Sequence, residues 1–309
     1  MHKTVAGIIV YLFIINAQAQ SREGNENIAV IADTQAPQWV ETLWLEDERN
    51  REATGVLFNR LLKEPVTGVF MLGDLVAMGS KEEQWTPVDY FIAALRRKLV
   101  GVYAIPGNHD YSFPANAGIA EFYKRFPRAK ATVQVYTIDS VAMVLVDANY
   151  SHLSRNREKV QEVRYRQCMD SLQNDVSVKA VIVCTHHPPY TNSTAVKPSK
   201  EVRQRLASVY ESTPKAALFL SGHSHNMEHF YEQGKDFLVI GGGGGLRQPL
   251  LSPEKRKYNE LIDNEQRIRF FYVIIEREGN ILTIKAKGMQ ADDFTKKLET
   301  ELLKINLLK

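Results

Sequence analysis

Residues 100–110 read VGVYAIPGNHD, an apolar run that ends in a Gly-Asn-His-Asp cluster. The run over residues 100–105 has the composition of a buried strand, and the proline and glycine after it are typical of a turn. In open α/β sheets, ligands bind in the crevice outside the carboxyl ends of the strands. This stretch therefore predicts a sheet strand followed immediately by a loop that contains functional residues.

Four further polar clusters follow apolar runs in the same way. They are Asp33-Thr34-Gln35 after residues 28–32, Gly73-Asp74 after residues 66–72, His186-His187 after residues 180–184, and Gly222-His223-Ser224-His225 after residues 216–220. Together with the Gly-Asn-His-Asp cluster, they contain five of the eight histidines. An ordinary loop is the simpler interpretation of any single cluster, but five of them at strand ends predict one shared site.

The rest of the chain alternates apolar runs with helical periodicity and becomes rich in strands towards its end. Helices are predicted at about residues 46–63, 82–98, 155–172 and 200–210, with an irregular section up to about residue 131. Asp139-Ser140 and Glu278-Gly279-Asn280 predict hairpins. This order predicts an α/β fold with a largely mixed sheet. One catalytic domain over residues 20–290 is the simplest division, because no repeat or linker interrupts it.

Composition and charge exclude several classes of protein. The chain has 309 residues, of which 44% are hydrophobic and 24% charged, and its formal net charge is +3. A disordered, collagen-like or polytopic membrane protein does not have these values. No basic run is dense enough to predict nucleic acid as the main partner.

The N-terminal residues have the pattern of a secretory signal peptide. His2 and Lys3 precede an apolar run over residues 5–15, and Ala17-Gln18-Ala19 then offers the small residues of a cleavage site. The alternative is a membrane anchor, but a span needs about twenty apolar residues. We expect cleavage after Ala19, no stable membrane insertion, and a mature protein that is secreted or periplasmic.

Two cysteines, Cys168 and Cys184, are too few for a disulfide scaffold. Cys184 lies in an apolar run with the composition of a buried strand, and Cys168 lies in the helical stretch before it. Two free thiols are the favoured interpretation, and a bond between them in an oxidising compartment is the alternative.

The tail over residues 291–309 places Phe294, Leu298 and Leu302 four residues apart. This spacing predicts one apolar stripe on an amphipathic helix. Packing back on the domain is the favoured role of that helix, and binding of a partner is the alternative.

The five clusters together offer carboxylates, an amide oxygen and imidazoles. Such a mixture of hard and borderline ligands is typical of a metal site. Two metal ions about 3.5–4 Å apart need a bridging carboxylate, and Asp74 is the natural candidate. A hydroxide held between the ions would be a strong nucleophile at neutral pH.

At these motifs the chain resembles the calcineurin-like metallophosphoesterase superfamily, whose pattern runs Asp-x-His, Gly-Asp, Gly-Asn-His-Asp/Glu, His and Gly-His-x-His. The resemblance extends over about residues 27–288 and implies a four-layer α/β/β/α sandwich with two mixed β-sheets. The Gly-His-Ser-His motif and the glycine run at residues 241–245 are similar to the secreted purple acid phosphatase branch. That branch has an iron-binding Tyr where this chain has Ala77, so we expect no iron–tyrosinate site.

The resemblance implies a site of two metal ions, of Mn, Fe or Zn, that share Asp74. The first ion would be held by Asp33, Asp74 and His225, and the second by Asp74, Asn108, His186 and His223. His109, with Asn108, would contact the phosphate and protonate the leaving group, and Asp110 would orient the His109 ring. His187 is interpreted as a substrate-binding residue of the pocket, with metal ligation as the alternative.

Gln35 stands where the family pattern has a histidine. Its neutral amide oxygen can bind a hard metal directly, or hold a water molecule that does so. We therefore include Gln35 among the metal ligands and expect a weaker first site, which tolerates Mn or Mg better than Zn.

Aromatic residues near the motif loops are candidates for the wall of a substrate pocket. For each of them, packing in the core or at the rim is an equal alternative. They are Trp39, Trp44, Trp85, Tyr111, Phe113 and Tyr190.

The sequence thus predicts an exported metallophosphoesterase that hydrolyses a small-molecule phosphate ester. Phosphomonoesters are favoured because of the resemblance to acid phosphatases. One alternative is a phosphodiesterase or nucleotidase at the same site. Another is a non-catalytic binding protein with a degenerate metal site, which Gln35 favours and the intact His109 opposes.

Overall fold

The computed structural model describes residues 26–112, 114–263 and 266–307. Twelve strands lie in these ranges: β1 (Asn27–Ile31), β2 (Val66–Met71), β3 (Gly101–Ala104), β4 (Val133–Ile138), β5 (Val141–Val146), β6 (Ala180–Cys184), β7 (Ala216–Ser221), β8 (Met227–Glu232), β9 (Lys235–Ile240), β10 (Phe270–Glu278), β11 (Ile281–Met289) and β12 (Leu298–Asn306). The helices are α1 (Asn50–Leu61), α2 (Thr86–Arg97), α3 (Ala115–Arg125), α4 (Arg155–Asn174), α5 (Lys200–Val202) and α6 (Ser208–Ser212), with a π-helical turn at Arg203–Ala207 between the last two.

The strands form two six-stranded sheets. The first has the order β12-β11-β10-β1-β2-β3, in which β1, β2 and β3 are parallel and β10 to β12 are antiparallel. The second has the order β4-β5-β6-β7-β9-β8, in which the four central strands are parallel and the edge strands β4 and β8 are antiparallel. Both sheets are mixed, which confirms the prediction.

Both faces of each sheet are covered, and this explains the continuous apolar runs of the central strands. In β1, Ile28 and Val30 pack between the two sheets, whereas Ala29 and Ile31 pack towards α1 and α2. The outer face of the second sheet packs on α4 through side chains such as Tyr165. Full burial of one aliphatic side chain contributes about 1.5–3 kcal/mol. The layers are those of the expected α/β/β/α sandwich.

The five polar clusters follow β1, β2, β3, β6 and β7 at the carboxyl ends of these strands. Neighbouring clusters in a sheet share backbone hydrogen bonds, as from Asp33 N to Gly73 O (3.0 Å) and from Gly222 N to His186 O (2.9 Å). Across the sheets, His186 Nδ1 lies 2.9 Å from Leu72 O. The two sheets therefore meet at one rim, which brings the clusters together.

The predicted helix over residues 291–309 is wrong, because residues Leu298–Asn306 form β12. A spacing of four residues fits a strand as well as a helix, since four is a multiple of the strand period of two. Leu298 and Leu302 are partly buried on one face of β12 and alternate with exposed Glu299 and Glu301. Phe294 precedes the strand and packs separately against the helix side of the first sheet.

Two elements, α3 and β8, were not predicted from the sequence. Helix α3 lies in the section predicted to be irregular, and buries only Gly118 and Phe122 fully, so its apolar stripe is short. Strand β8 is an edge strand whose sequence, MEHFYE, carries polar residues on both faces. Pairing with β9, rather than local composition, makes it a strand.

Both cysteines are free, which confirms the favoured interpretation. Cys184 packs between the two sheets, whereas Cys168 packs on the outer side of the second sheet with α4. A sheet therefore separates the two thiols.

The predicted signal peptide lies outside the described residues. Among the residues that are described, no helix combines the length and the apolar composition needed to cross a bilayer.

Candidate metal centre

Asp74 lies at the centre of the five clusters, directly after β2. Its buried carboxylate accepts a hydrogen bond at Oδ1 from His109 N (2.8 Å), and Oδ2 lies 3.2 Å from His186 Nε2. Its backbone oxygen accepts a hydrogen bond from Gln35 N (3.1 Å). Gly73 before it has a φ of +86°, and an added Cβ there would lie 2.8 Å from His186 Nδ1, so only glycine fits. Asp74 thus contacts three of the other clusters.

Asp33 and His225 border one side of this carboxylate. His225 Nε2 lies 3.6 Å from Asp33 Oδ1, and both Asp33 oxygens accept hydrogen bonds from His223 N (3.0 Å each). His225 Nδ1 lies 2.7 Å from Leu246 O, so Nδ1 carries the ring proton and Nε2 keeps its lone pair. Burial lowers the pKa of His225 to about 4, which leaves the neutral imidazole that binds metals.

The side chain of Gln35 completes this first position. In one orientation of its amide, Gln35 Nε2 lies 3.0 Å from His225 Nε2 and 3.5 Å from Asp74 Oδ2. In the reversed orientation, the nitrogen donates to the backbone oxygens of Asp74 (2.9 Å) and Asp33 (3.2 Å), and the oxygen lies 3.0 Å from His225 Nε2. Because the ring proton is on Nδ1, the amide nitrogen of the first orientation donates to the lone pair of His225 Nε2, whereas in the reversed orientation two lone pairs face each other. A cation would favour the reversed orientation, since it would bind both lone pairs. The geometry therefore fits Gln35 as an oxygen ligand of a first metal ion.

Asn108, His186 and His223 border the other side of Asp74. His186 Nδ1 faces Leu72 O (2.9 Å), and its Nε2 lies 3.2 Å from Asn108 Oδ1 and 3.2 Å from Asp74 Oδ2. His223 Nδ1 is buried and has no hydrogen-bond partner among the described residues. A buried nitrogen without a partner is costly, and a metal ion would satisfy it. These atoms fit a second metal ion.

The charges of the site also fit cations. Burial raises the pKa of Asp33 to about 8. Burial opposes ionisation of Asp74 as well, but His186 and His109 outweigh it and hold its pKa below the usual range. Burial opposes protonation of His186, and Asp74 outweighs it and raises its pKa to about 9. The protonated imidazole of His186 thus interacts with two buried carboxylates, those of Asp74 and Asp33. Divalent cations would displace this proton and favour the ionised form of Asp33 as well as that of Asp74.

Four of the predicted ligands adopt the left-handed backbone region that non-glycine residues rarely occupy. The φ angles are 59° for Asp33, 52° for Asp74, 72° for His223 and 50° for His225. Each such residue costs of order 1–3 kcal/mol and persists only where the surrounding structure enforces it, most often at functional sites. The backbone therefore bends at the strand ends to turn these side chains towards Asp74.

His109 lies beside the metal positions with its ring held by a backbone group. His109 Nδ1 lies 3.0 Å from Ala77 O. The buried Asp110 carboxylate accepts hydrogen bonds from Leu75 N (3.0 Å) and Gly107 N (2.8 Å) instead. The prediction that Asp110 orients the His109 ring is therefore wrong: Ala77 O does so. Asp110 ties the Gly-Asp loop to the Gly-Asn-His-Asp loop.

His187 is partly buried next to the second position. Its ring centroid lies 4.5 Å from that of His223, and burial, reinforced by His186, lowers its pKa to about 3. Ligand atoms of His186, His187 and His223 lie within 4.8 Å of one another, so the alternative of metal ligation stays open.

A cleft of about 250 Å³ opens beside Asn108 and His109. Several residues of the cleft, among them Gln38, Met78 and His152, were not predicted from the sequence, because none belongs to a motif. Gln38 Nε2 donates to Ala77 O (3.1 Å) next to the His109 ring. Among the aromatic candidates within the described ranges, Tyr111 alone lines the cleft. Of the others, Trp85 and Tyr190 are buried, Trp39 and Trp44 are exposed, and Phe113 lies outside the described residues.

The family model of calcineurin-like phosphoesterases matches residues 26–227, about two thirds of the chain. The chain belongs to the calcineurin-like phosphoesterase family. Membership makes it a hydrolase of the metallophosphoesterase type, in a family that depends on a dinuclear metal centre. The two sets of ligand atoms around Asp74 fit that centre. No curated protein sequence matches the chain significantly.

Solved structures with the same fold include a purple acid phosphatase, PPD1, from yellow lupin (Lupinus luteus) seeds. It has a TM-score of 0.63 and 14% identity over 91% of this chain and 54% of its own, so the chain spans about half the length of the lupin protein. GAP50, the anchor in the inner membrane complex of Plasmodium, has a TM-score of 0.57 and 12% identity over 90% of this chain and 89% of its own. A dimetal phosphatase from Danio rerio has a TM-score of 0.55 and 12% identity over 91% of this chain and 100% of its own.

The contacts of Gln35 predict the behaviour of the first metal ion. Gln35→Leu removes the amide oxygen, and we expect it to lower metal affinity at that position by about 10- to 100-fold. Gln35→His supplies an imidazole donor and is expected to tighten binding. Metal content per chain after dialysis against a mild chelator is the measurement, with Gln38→Leu, which lies outside the ligand set, as the matched control. Equal retention of two metals by the natural protein and both Gln35 variants would show that Gln35 is not a ligand.

Proposed function

We propose that the protein is an exported phosphatase that hydrolyses small phosphomonoesters with two divalent metal ions. The observation that carries the proposal is the convergence of two sets of ligand atoms on the single buried carboxylate of Asp74, with His109 beside them. When bound, the two ions would supply Lewis-acid activation of the phosphate and of water.

We assign the transfer of a proton to His109. Its Nδ1 faces Ala77 O, which leaves Nε2 available to a leaving-group oxygen. Burial opposes protonation of His109, but Asp74 and the Ala77 carbonyl outweigh it and raise the pKa of the ring. A raised pKa favours the imidazolium form, which can protonate the leaving group as a general acid does.

Phosphomonoesters are favoured because the motif spacing resembles that of acid phosphatases, and because neighbours in fold carry the names purple acid phosphatase and dimetal phosphatase. A phosphodiesterase or nucleotidase that uses the same metal centre is the nearest alternative. Turnover of p-nitrophenyl phosphate, compared with bis-p-nitrophenyl phosphate, separates the two. A kcat/KM that is higher for the diester would overturn the preference for monoesters.

A non-catalytic binding protein is the alternative from another class. Gln35 in place of histidine supports it, as does the name of GAP50, which describes an anchor. Placement of His109 beside the cleft opposes it, because a binding protein has no need of a proton donor. Absence of hydrolysis of any phosphate ester by the metal-loaded protein would favour this alternative.

Asp74→Asn tests the metal centre directly. An amide is a poor bridge, so we expect loss of metal and a fall in p-nitrophenyl phosphate turnover to the level of the metal-free protein. Asp236→Asn is the matched control, because Asp236 also pairs with an imidazole, that of His229 (2.8 Å), outside the candidate site. The proposal fails if Asp74→Asn keeps two metals and most of its activity.

His109→Ala is expected to keep both metals and to lose about 10²- to 10⁴-fold in rate. The loss should be smallest for p-nitrophenyl phosphate, whose leaving group needs little protonation, and largest for an alkyl phosphate. The slope of log kcat/KM against the pKa of the leaving group is the measurement, with His229→Ala as the control. An unchanged slope would remove the role of general acid and leave only phosphate positioning.

The proposed export rests on the sequence pattern of residues 1–19. Expression in a host with a secretory pathway should yield a mature chain that begins at Gln20, as read by N-terminal sequencing. Retention of an intact N-terminus in the cytoplasmic fraction would contradict it.

A further inference from the structure

Two aromatic rings form a parallel stack at the wall of the cleft. The centroids of Tyr111 and His152 lie 4.6 Å apart, and the planes differ by 3°. Tyr111 is buried, whereas His152 is exposed and lines the cleft. The imidazole therefore has one face covered by the phenol ring, while its exposed side chain forms part of the cleft wall.

A network of buried hydrogen bonds fixes this stack. Tyr111 Oη donates to Asp147 Oδ2 (2.8 Å), and Asp147 Oδ1 accepts from Asn149 N (3.0 Å) and Asn149 Nδ2 (2.8 Å). Asn149 Nδ2 also donates to Pro106 O (2.8 Å), and Asn149 O accepts from His152 N (2.8 Å). One network thus joins both rings to the start of the Gly-Asn-His-Asp loop. The stack is held in place before any ligand arrives, which lowers the entropy cost of binding.

The stack and the proton donor share one cleft. His109 lies two residues before Tyr111, and both line the cleft together with Met78 and the polar side chain of Gln38. The volume of about 250 Å³ accommodates a planar ring of the size of a phenyl group or a nucleobase. A leaving group that receives its proton from His109 would therefore extend along a wall that already consists of stacked rings.

We infer that the Tyr111–His152 stack is a specificity platform for phosphomonoesters whose leaving group contains a planar aromatic ring. The inference rests on the proposed function, since it concerns the leaving group of the same reaction. A third planar ring stacks favourably on the outer face of His152, whereas an alkyl leaving group gains little there. His152 is not among the predicted metal ligands, so we expect it to act on substrate binding rather than on the chemical step.

The main experiment compares leaving groups in the metal-loaded enzyme. His152→Ala should raise KM about 3- to 10-fold for p-nitrophenyl phosphate and for a nucleoside monophosphate, with kcat nearly unchanged. KM for glycerol 3-phosphate should stay the same. The two aromatic substrates separate a ring attached directly to the phosphate oxygen from one attached through a sugar. An equal change in KM for all three substrates would overturn the inference.

Matched variants test whether stacking is the cause. His152→Phe keeps a planar ring and should restore the KM of the natural enzyme for aromatic substrates. Tyr231→Ala removes an exposed aromatic ring on β8, outside the cleft, and should change no KM. If His152→Phe behaves like His152→Ala, the imidazole acts through its nitrogens and the stacking argument is wrong.

A binding measurement separates failure of the platform from failure of the proposed function. Phenylphosphonate and methylphosphonate are not hydrolysed, so calorimetric titration of the metal-loaded protein needs no turnover. We expect phenylphosphonate to bind more tightly than methylphosphonate, and His152→Ala to abolish that difference. If both ligands bind equally to the natural protein, the platform is refuted even when phosphate esters are hydrolysed. If the difference appears without any hydrolysis, the platform stands as a binding site and the proposed function fails.

Discussion

The buried carboxylate of Asp74 sets the conditions for the rest of the site. A carboxylate in the interior needs opposite charge and hydrogen-bond donors, because burial alone favours its neutral form. Asp33 adds a second buried carboxylate nearby, and imidazoles and backbone N–H groups surround the two carboxylates. The two carboxylates still favour additional positive charge, so this rim is suited to bind two cations.

Two packed sheets can bring these charged groups together because the carboxyl ends of their strands meet at one rim. The loops there are held by carboxylates that accept backbone hydrogen bonds rather than by disulfides. Asp110 joins the loops after β2 and β3, and Asp147 joins the loop after β5 to Tyr111. Left-handed residues in the loops turn the ligand side chains inwards, at a cost that the core of the two sheets offsets.

The two metal positions differ in the donor groups that the chain offers to each ion. The second position has two imidazoles and an amide oxygen, in His186, His223 and Asn108. The first has the carboxylate of Asp33, one imidazole, His225, and the amide of Gln35, while Ala77 offers no phenolate. Because imidazole is a stronger donor than an amide oxygen to borderline metals, we expect the first ion to be the more weakly bound of the pair.

The sequence by itself determined the strands that precede the five polar clusters and the residues around Asp74, because polar clusters after buried strands have a local signature. It also determined that Gln35 departs from the family pattern. Only the tertiary structure decided that Ala77 O, rather than Asp110, holds the His109 ring, and that Tyr111 stacks on His152. The tertiary structure also decided that the tail, with its apolar residues four apart, forms strand β12. Such features depend on backbone atoms and on pairing between distant segments, and local sequence periodicity contains neither.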